Sequence, residues 1–315
     1  MSLATNSTAP DVSVLVPAKD EAENLAEFVR LTREAMLPLP YAVELVIVND
    51  GSQDGSAHLL DELTAKHPFV KVVTHRTQRG IADALKSGAD AARGRVLVYY
   101  PADLQYLPSD IPALVGPILA GQADVVTGTK QGQYNKRFVS GIYNALCRWL
   151  FGVRVKDLNS VKAYRREIMD VVPMRPDWHR FMVVIAAFQG YRLAEQPVPV
   201  HPRQAGKSKF GIGRIPVGVL DLMSVWFQLR FGRKPMLFFG VWGAILVLLG
   251  FGVAVYAFIE RFAYQQGNRA FLYLVVLLVL AGIMLVGVGF LGEMIAGMRE
   301  EMRVLERELQ RKADH

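Results

Sequence analysis

Val96-Leu97-Val98-Tyr99-Tyr100 is a strand-like apolar run that stops at Pro101-Ala102-Asp103-Leu104-Gln105. Side chains alternate along an extended backbone, so Asp103 and Gln105 are expected to point the same way, offering one carboxylate and one amide oxygen. Hard divalent cations take oxygen ligands, and Mg2+ draws one or two from protein and the rest from phosphate and water. A single Asp after a strand is more commonly a turn residue or a helix cap. Two other apolar runs end in the same manner, however. Asp20 and Glu21 follow Val12–Val16 through Pro17-Ala18-Lys19, and Asp50 follows Glu44–Val48 through Asn49. Ligands of open α/β sheets sit at the carboxyl ends of the strands. Acidic groups gathered there would repel a diphosphate, so a cation and basic groups from elsewhere must complete the site. Arg165, Arg166, Arg203, Lys207 and Lys209 are the candidates. The residues alone thus point to a nucleotide-diphosphate site assisted by Mg2+ or Mn2+.

A sheet must hold these ends. Val12–Val16, Glu44–Val48, Val70–Val73 and Val96–Tyr100 read as buried strands, and Asp124–Gly128 adds another. Helical patterns separate the first four: Leu25, Phe28, Val29 and Leu31; Ser56 to Lys66; and, after Arg79-Gly80, a small-residue helix with Ala84, Gly88 and Ala92 on one face. Alternation of this kind predicts an α/β fold with a mostly parallel, Rossmann-like sheet covered on both faces. Beyond Gln131 the pattern loosens. Phe138–Phe151 is an amphipathic helix, Arg180–Phe188 is helical, and Leu193–Val200, with Pro197 and Pro199, suits an edge strand. The expected organisation is a disordered N-terminus (1–10), the α/β domain (11–213), juxtamembrane interfacial helices (214–234), a pair of spans within 235–292 (236–258 and 271–292) and a charged helical tail (293–315).

Of the 315 residues, 51% are hydrophobic and 21% charged, too apolar for an ordinary soluble enzyme and too charged for a polytopic transporter. Met236–Phe258 and Phe271–Gly292 each have the roughly 20 apolar residues that cross a bilayer, whereas a buried core helix would be shorter and carry a polar face. Arg230, Arg233 and Lys234 precede the first run, and Arg299, Arg303, Arg307, Arg311 and Lys312 follow the second. By the positive-inside rule both ends face the cytoplasm at an inner or plasma membrane. Met1–Pro10 has neither the basic start nor the apolar core of a secretory signal. Cys147 is the single cysteine, which suits a reducing compartment. The net charge of +7 gathers beside the apolar runs and in the 203–213 loop, so anionic lipid and phosphate are expected ligands and nucleic acid is not. Ile215–Phe231, with Trp226, Phe227 and Phe231, is expected to lie in the membrane interface. Met298, Met302, Leu305 and Leu309 form a stripe that packs on its own domain or pairs protomers, and a homo-oligomer is the expectation.

Val16-Pro17-Ala18-Lys19-Asp20-Glu21, Val48-Asn49-Asp50-Gly51-Ser52 and Ala102-Asp103-Leu104-Gln105 resemble the successive motifs of inverting, GT-A-fold family 2 glycosyltransferases. Asp157-Leu158-Asn159-Ser160-Val161-Lys162-Ala163-Tyr164-Arg165-Arg166 and Arg203-Gln204-Ala205-Gly206-Lys207-Ser208-Lys209-Phe210 resemble the later motifs of the polyprenyl-phosphate hexosyltransferases, the dolichol-phosphate mannose synthase type. The resemblance runs from Val12 to Gly240. It implies a hexose donor linked to UDP or GDP, a polyprenyl (undecaprenyl or dolichyl) phosphate acceptor, and the following roles. Pro17, Ala18, Asp20, Glu21, Asp50, Gly80, Ala102 and Asp103 would hold the nucleotide sugar, and Asp103 with Gln105 the metal. Lys162, Arg165, Arg203, Ser208 and Lys209 would meet the lipid phosphate, the last three on a mobile loop. Asp103, Asp157, Arg203 and Lys209 would serve the chemical step. The chain departs from the family at Pro101, where an acidic residue is usual, at Asn49, and along Asn159-Ser160-Val161-Lys162.

An ionised phosphate acceptor hardly needs deprotonation, whereas a sugar or lipid hydroxyl needs a positioned base. No Glu-Asp base motif stands between Gly128 and Trp178, and Arg148-Trp149 lacks the Gln of a processive polysaccharide synthase. Asp157 is either a base or a structural carboxylate, and His179 reads as a surface residue at a helix start. Transfer to a lipid hydroxyl and a non-catalytic nucleotide-sugar-binding scaffold are the competing readings. Turnover separates the scaffold, and an acid-labile sugar-phosphate-lipid product separates the hydroxyl.

Overall fold

The computed structural model describes residues 9–132, 137–153, 155–202, 215–265 and 267–313. The chain divides into two compact units, Met1–Leu222 and Met223–His315.

The first unit is built on one seven-stranded sheet. Its strands are β1 (Val12–Ala18), β2 (Val43–Asp50), β3 (Val70–His75), β4 (Val96–Tyr99), β5 (Val125–Gln131), β6 (Lys162–Arg165) and β7 (Leu193–Pro199). They lie in the order β3-β2-β1-β4-β6-β5-β7. The strands β1 to β4 are mutually parallel, while β6 runs antiparallel to both β4 and β5. The proline-containing β7 lies at one end of this order, paired with β5. Strands buried on both faces read as continuous Val/Ile/Leu runs, and Val14, Leu15, Val16, Leu45, Val46 and Ile47 are accordingly all fully buried.

Helices α1 (Ala22–Met36), α2 (Ser56–Lys66) and α4 (Ile111–Leu119) bury Leu25, Phe28, Leu60 and Leu114 in one core layer with Val14, Val16 and Val98. Helix α3 (Ile81–Ala91) lies on β1 and β2, where Gly88 approaches Val48 and Leu15 closely. The small-residue face predicted for it is the buried one: Ala84 and Ala92 are both enclosed. Helices α5 (Arg137–Phe151), α6 (Ile168–Val171) and α7 (Met182–Phe188) complete the unit, with a 3-10 turn at Trp178–Phe181.

Helix α8 (Ile215–Phe231) contains the division between the units. In the second unit, α9 (Pro235–Ala263) and α10 (Arg269–Ala313) pack against each other. Pro235–Ala263 and Arg269–Met302 are long and apolar enough to cross a membrane, and only 11% of each apolar stretch is buried, unlike a soluble core helix. Small residues let the two backbones touch: a Cβ on Gly243 would stand 2.7 Å from the Gly282 carbonyl oxygen, and the reverse holds at Gly282. Trp226, Phe227 and Phe231 stack with Phe238 at the start of α9. The tail is an unbroken continuation of α10, with Met298, Met302, Leu305 and Leu309 exposed.

Candidate active site

Four parallel strands deliver Ala18, Asp50, His75 and Tyr99 to one edge of the sheet. The loops that follow them are joined by hydrogen bonds. The Asp20 and Glu21 N–H groups donate to Ser52 Oγ (2.9 Å) and Ser56 Oγ (3.3 Å). In return Gln53 N–H donates to Asp20 Oδ1 at 2.8 Å, and Lys19 Nζ donates to the Gly51 carbonyl at 2.6 Å. Asp20 has φ 54, a left-handed conformation that is costly for a residue with a Cβ. Strain of this kind concentrates at functional sites.

Asp50 ties the second loop to the third. Its Oδ1 accepts from Arg79 N–H and its Oδ2 from Gly80 N–H, both at 2.8 Å. Oδ1 also lies 2.8 Å from His75 Nδ1, and His75 Nε2 lies 2.9 Å from Ser87 Oγ on α3. Gly51, at φ 65, sits so close to this third loop that a Cβ would fall 2.7 Å from the Gln78 nitrogen. Any side chain there would displace backbone. Asp50 is 4% exposed, so its carboxylate orders the loop from within.

The Asp103 segment differs from its sequence expectation. The strand β4 ends at Tyr99, and Pro101–Gln105 is not extended: Leu104 has φ 55, and Asp103 Oδ1 accepts the Gln105 N–H at 3.2 Å. Strand alternation therefore does not align Asp103 with Gln105. A short carboxylate that bonds its own backbone two residues on forms a tight turn instead. Asp103 is buried, Gln105 is half-buried, and the Gln105 carbonyl accepts the His201 N–H at 2.9 Å. Among the described residues no cluster of three His, Cys, Asp or Glu could hold a metal. One carboxylate and one amide oxygen fit only a hard cation that takes its remaining ligands from diphosphate and water, as Mg2+ does.

On the far side of β4, Asp157 is buried and bound. Lys130 Nζ lies 3.3 Å from its Oδ2, and Asn159 N–H donates to its Oδ1 at 3.0 Å. Lys162, expected to meet a lipid phosphate, is 1% exposed. Its Nζ donates to the carbonyls of Leu158 (3.1 Å) and His179 (3.2 Å). Burial holds its ammonium down at about 7, against the opposing pull of Asp157. His179 is likewise buried rather than on the surface, edge-on to Tyr99, and burial keeps its imidazole neutral with a value of about 3.

Two arginines stand elsewhere. Arg165 pairs in register with Val96, at the start of β4, so it lies at the opposite edge of the sheet from Asp103. There it bonds Asp124 (Nε to Oδ1, 3.1 Å), which Arg192 grips with a second fork. Antiparallel β6 is the reason: it carries the chain from Lys162 beside Tyr99 back to that far edge. Arg166 caps the end of α3 through the carbonyls of Ala89, Ala92 and Gly94. Arg203, Ser208 and Lys209 lie outside the described residues. The sequence marks Ser52, in the Asp50-Gly51-Ser52 motif, and Ser56, at a helix start, without giving either a role in the site, and nothing local marks His75.

A glycosyl transferase family 2 profile matches residues 13–165. The dodecaprenyl-phosphate galacturonate synthase of Rhizobium johnstonii is 31% identical over 296 residues, covering 91% of this chain and 88% of that protein. The undecaprenyl-phosphate 4-deoxy-4-formamido-L-arabinose transferase of Pseudomonas fluorescens is 30% identical over 306 residues, covering 94% and 87%. Among solved structures, glucosyl-3-phosphoglycerate synthase from Mycobacterium tuberculosis, crystallised with Mn2+, UDP and glucosyl-3-phosphoglycerate, has a TM-score of 0.54 at 19% identity and covers 70% of this chain and 80% of its own. That likeness is one of fold.

Proposed function

The chain belongs to glycosyl transferase family 2, and on that premise we propose that it moves a sugar, with inversion, from a nucleotide-diphosphate donor to the phosphate of a polyprenyl lipid at the cytoplasmic face of the membrane. One observation carries the reading: parallel strands bring Asp50, at the end of β2, and the loops bearing Asp20 and Asp103 to a single sheet edge, in a chain whose relatives are polyprenyl-phosphate sugar transferases by name.

The donor lies along that edge. Pro17, Ala18, Asp20 and Glu21 contact the base and ribose, while Asp50 acts through the Arg79–Gly80 backbone it holds. Asp103 and Gln105 would hold a Mg2+ or Mn2+ ion, which supplies Lewis-acid neutralisation of the charge on the departing diphosphate. Arg203 and Lys209 bring positive charge, and Ser208 a hydroxyl donor, to the phosphates from the basic loop.

The acceptor makes the nucleophile. A phosphomonoester with a second pKa of about 6 is mostly ionised at neutral pH and attacks without a base. Asp157 is already committed to Lys130 and Asn159, which suits a site that removes no proton. A donor from water meets a phosphate held at the bilayer surface, and covalent attachment to two apolar helices spares the enzyme a diffusional search. Exposed Val217, Leu220 and Met223 on α8 suit an interfacial position for that helix.

The test is a turnover screen. Purified protein in detergent is mixed with UDP- and GDP-sugars, undecaprenyl phosphate and Mn2+ or Mg2+, and the lipid fraction is read by mass spectrometry. A sugar added to the polyprenyl phosphate and lost with EDTA is the expected result. Product only with a lipid alcohol would move the acceptor to a hydroxyl. Nucleotide binding without any turnover would leave a scaffold.

A further inference from the structure

His75 ends β3, is 6% exposed and belongs to none of the motifs that carry the family resemblance. Its ring bridges two elements. Nδ1 lies 2.8 Å from Asp50 Oδ1 on β2, and Nε2 lies 2.9 Å from Ser87 Oγ on α3. A carboxylate only accepts, so Nδ1 carries the proton toward Asp50. In the neutral ring Nε2 then accepts from the Ser87 hydroxyl.

The consequence falls on the Asp50 carboxylate. It receives the N–H groups of two successive residues on different oxygens, Arg79 on Oδ1 and Gly80 on Oδ2. That pattern requires one rotation of the carboxylate plane, and the terminal torsion of Asp is otherwise broad. A third donor, from a ring locked in a buried bridge, fixes the rotation. The backbone so held is a demanding one: Gly80 has φ 95 and ψ 169, and the loop before it packs within 2.7 Å of where a Gly51 Cβ would stand. We propose that His75 is a positioning residue for the donor nucleotide, acting by orienting Asp50 and through it the Arg79–Gly80 backbone. The inference rests on the donor site proposed above.

Nucleotide affinity, measured by calorimetry with UDP and GDP on the full chain in detergent, needs no acceptor and no chemistry. Wild type binds one of the two. His75→Ala loses about tenfold or more in that affinity, the loss of a hydrogen bond to a charged group, while the KM for polyprenyl phosphate stays unchanged. His75→Asn puts an N–H donor where Nδ1 stood and restores most of the affinity. His75→Gln reaches toward Ser87 instead and does not. Ser87→Ala, which keeps the Asp50 bond but releases the far end of the ring, loses less than His75→Ala. This rank order, with melting temperatures of Asn and Gln variants alike, is a signature that a merely structural histidine would not give. Equal nucleotide affinity in wild type and His75→Ala, or equal affinity in the Asn and Gln variants, overturns the positioning role. Should His75→Ala not fold, the Asn against Gln comparison decides alone. Failure of wild type to bind UDP and GDP would instead sink the donor site itself, and the inference with it.

Discussion

Lys162 of β6 and Tyr99 of β4 face each other in antiparallel register, and the Lys162 Nζ lies 6.0 Å from the centre of the Tyr99 ring. The ammonium donates to the carbonyls of Leu158 and His179, and among the described residues no carboxylate stands within ion-pair distance of it. Burying it therefore costs free energy, and that cost depends on pH. Below about 7 both folded and unfolded chains carry the proton, and the full cost is present. Between there and the usual lysine value the unfolded chain binds more protons than the folded one, so stability rises with pH, by up to about 1.4 kcal/mol per pH unit from this group. The melting temperature of wild type should climb relative to that of Lys162→Met from pH 7 to pH 9. A difference independent of pH would show that the buried lysine keeps its usual proton affinity and stays charged in the fold.

Arg165 is expected to matter for folding and not for the acceptor. Its partner Asp124 is held down at about 2, first by the hydrogen bonds of Arg192, so the clamp stabilises the fold above the ordinary carboxylate range and is lost as pH falls toward 2. Arg165 itself is 39% exposed, and exposed pairs contribute only about 0.2–1 kcal/mol. Arg165→Ala should lower the melting temperature slightly and leave the KM for polyprenyl phosphate unchanged. Asp124→Asn should cost more, since it disarms two arginines, and should flatten the acid limb of stability. A raised acceptor KM in Arg165→Ala would contradict its position at the far edge.

Asp157 separates acceptor classes. If the nucleophile is an ionised phosphate, Asp157→Asn removes an ion pair with Lys130 but no proton acceptor. Loss of one partner of a buried pair costs about 3–5 kcal/mol at most, so the variant should be less stable. Its turnover per folded enzyme should fall modestly, and its pH–rate profile should keep the shape of wild type. A loss of a thousandfold or more, with the acidic limb of that profile gone, would make Asp157 a base and the acceptor a hydroxyl.

The sequence carried the parallel half of the sheet because those strands are long, buried on both faces and punctuated by acidic turns. It did not announce β6. Four residues, Lys162 to Arg165, give too short a run for periodicity, and the two basic ends resemble a ligand motif more than a strand. Only the pairing with β4 and β5 reveals that one end is beside Tyr99 and the other at the far edge. This is why Lys162 and Arg165, three residues apart in a motif, have such different surroundings. The Asp103 turn failed for a related reason: alternation is a property of strands, and β4 had already ended. His75 was illegible because its meaning is a contact across 25 residues to Asp50.

Asp103 tests the metal assignment most directly. Its carboxylate bonds the Gln105 N–H, a local turn bond whose loss costs on the order of 1 kcal/mol. Asp103→Ala should therefore fold, with a circular dichroism spectrum like that of wild type. Asp103→Asn keeps an oxygen that accepts the turn bond but removes the charge that a hard cation favours. Both variants should lose turnover by a hundredfold or more, and Asp103→Asn should recover part of it as Mn2+ or Mg2+ is raised, because weaker coordination is offset by mass action. Gln105→Glu makes the opposite change: it adds a second carboxylate and should reach half-maximal activity at lower metal concentration. Activity in Asp103→Ala equal to wild type at every metal concentration would remove the metal from this turn, and with it the role assigned to Gln105.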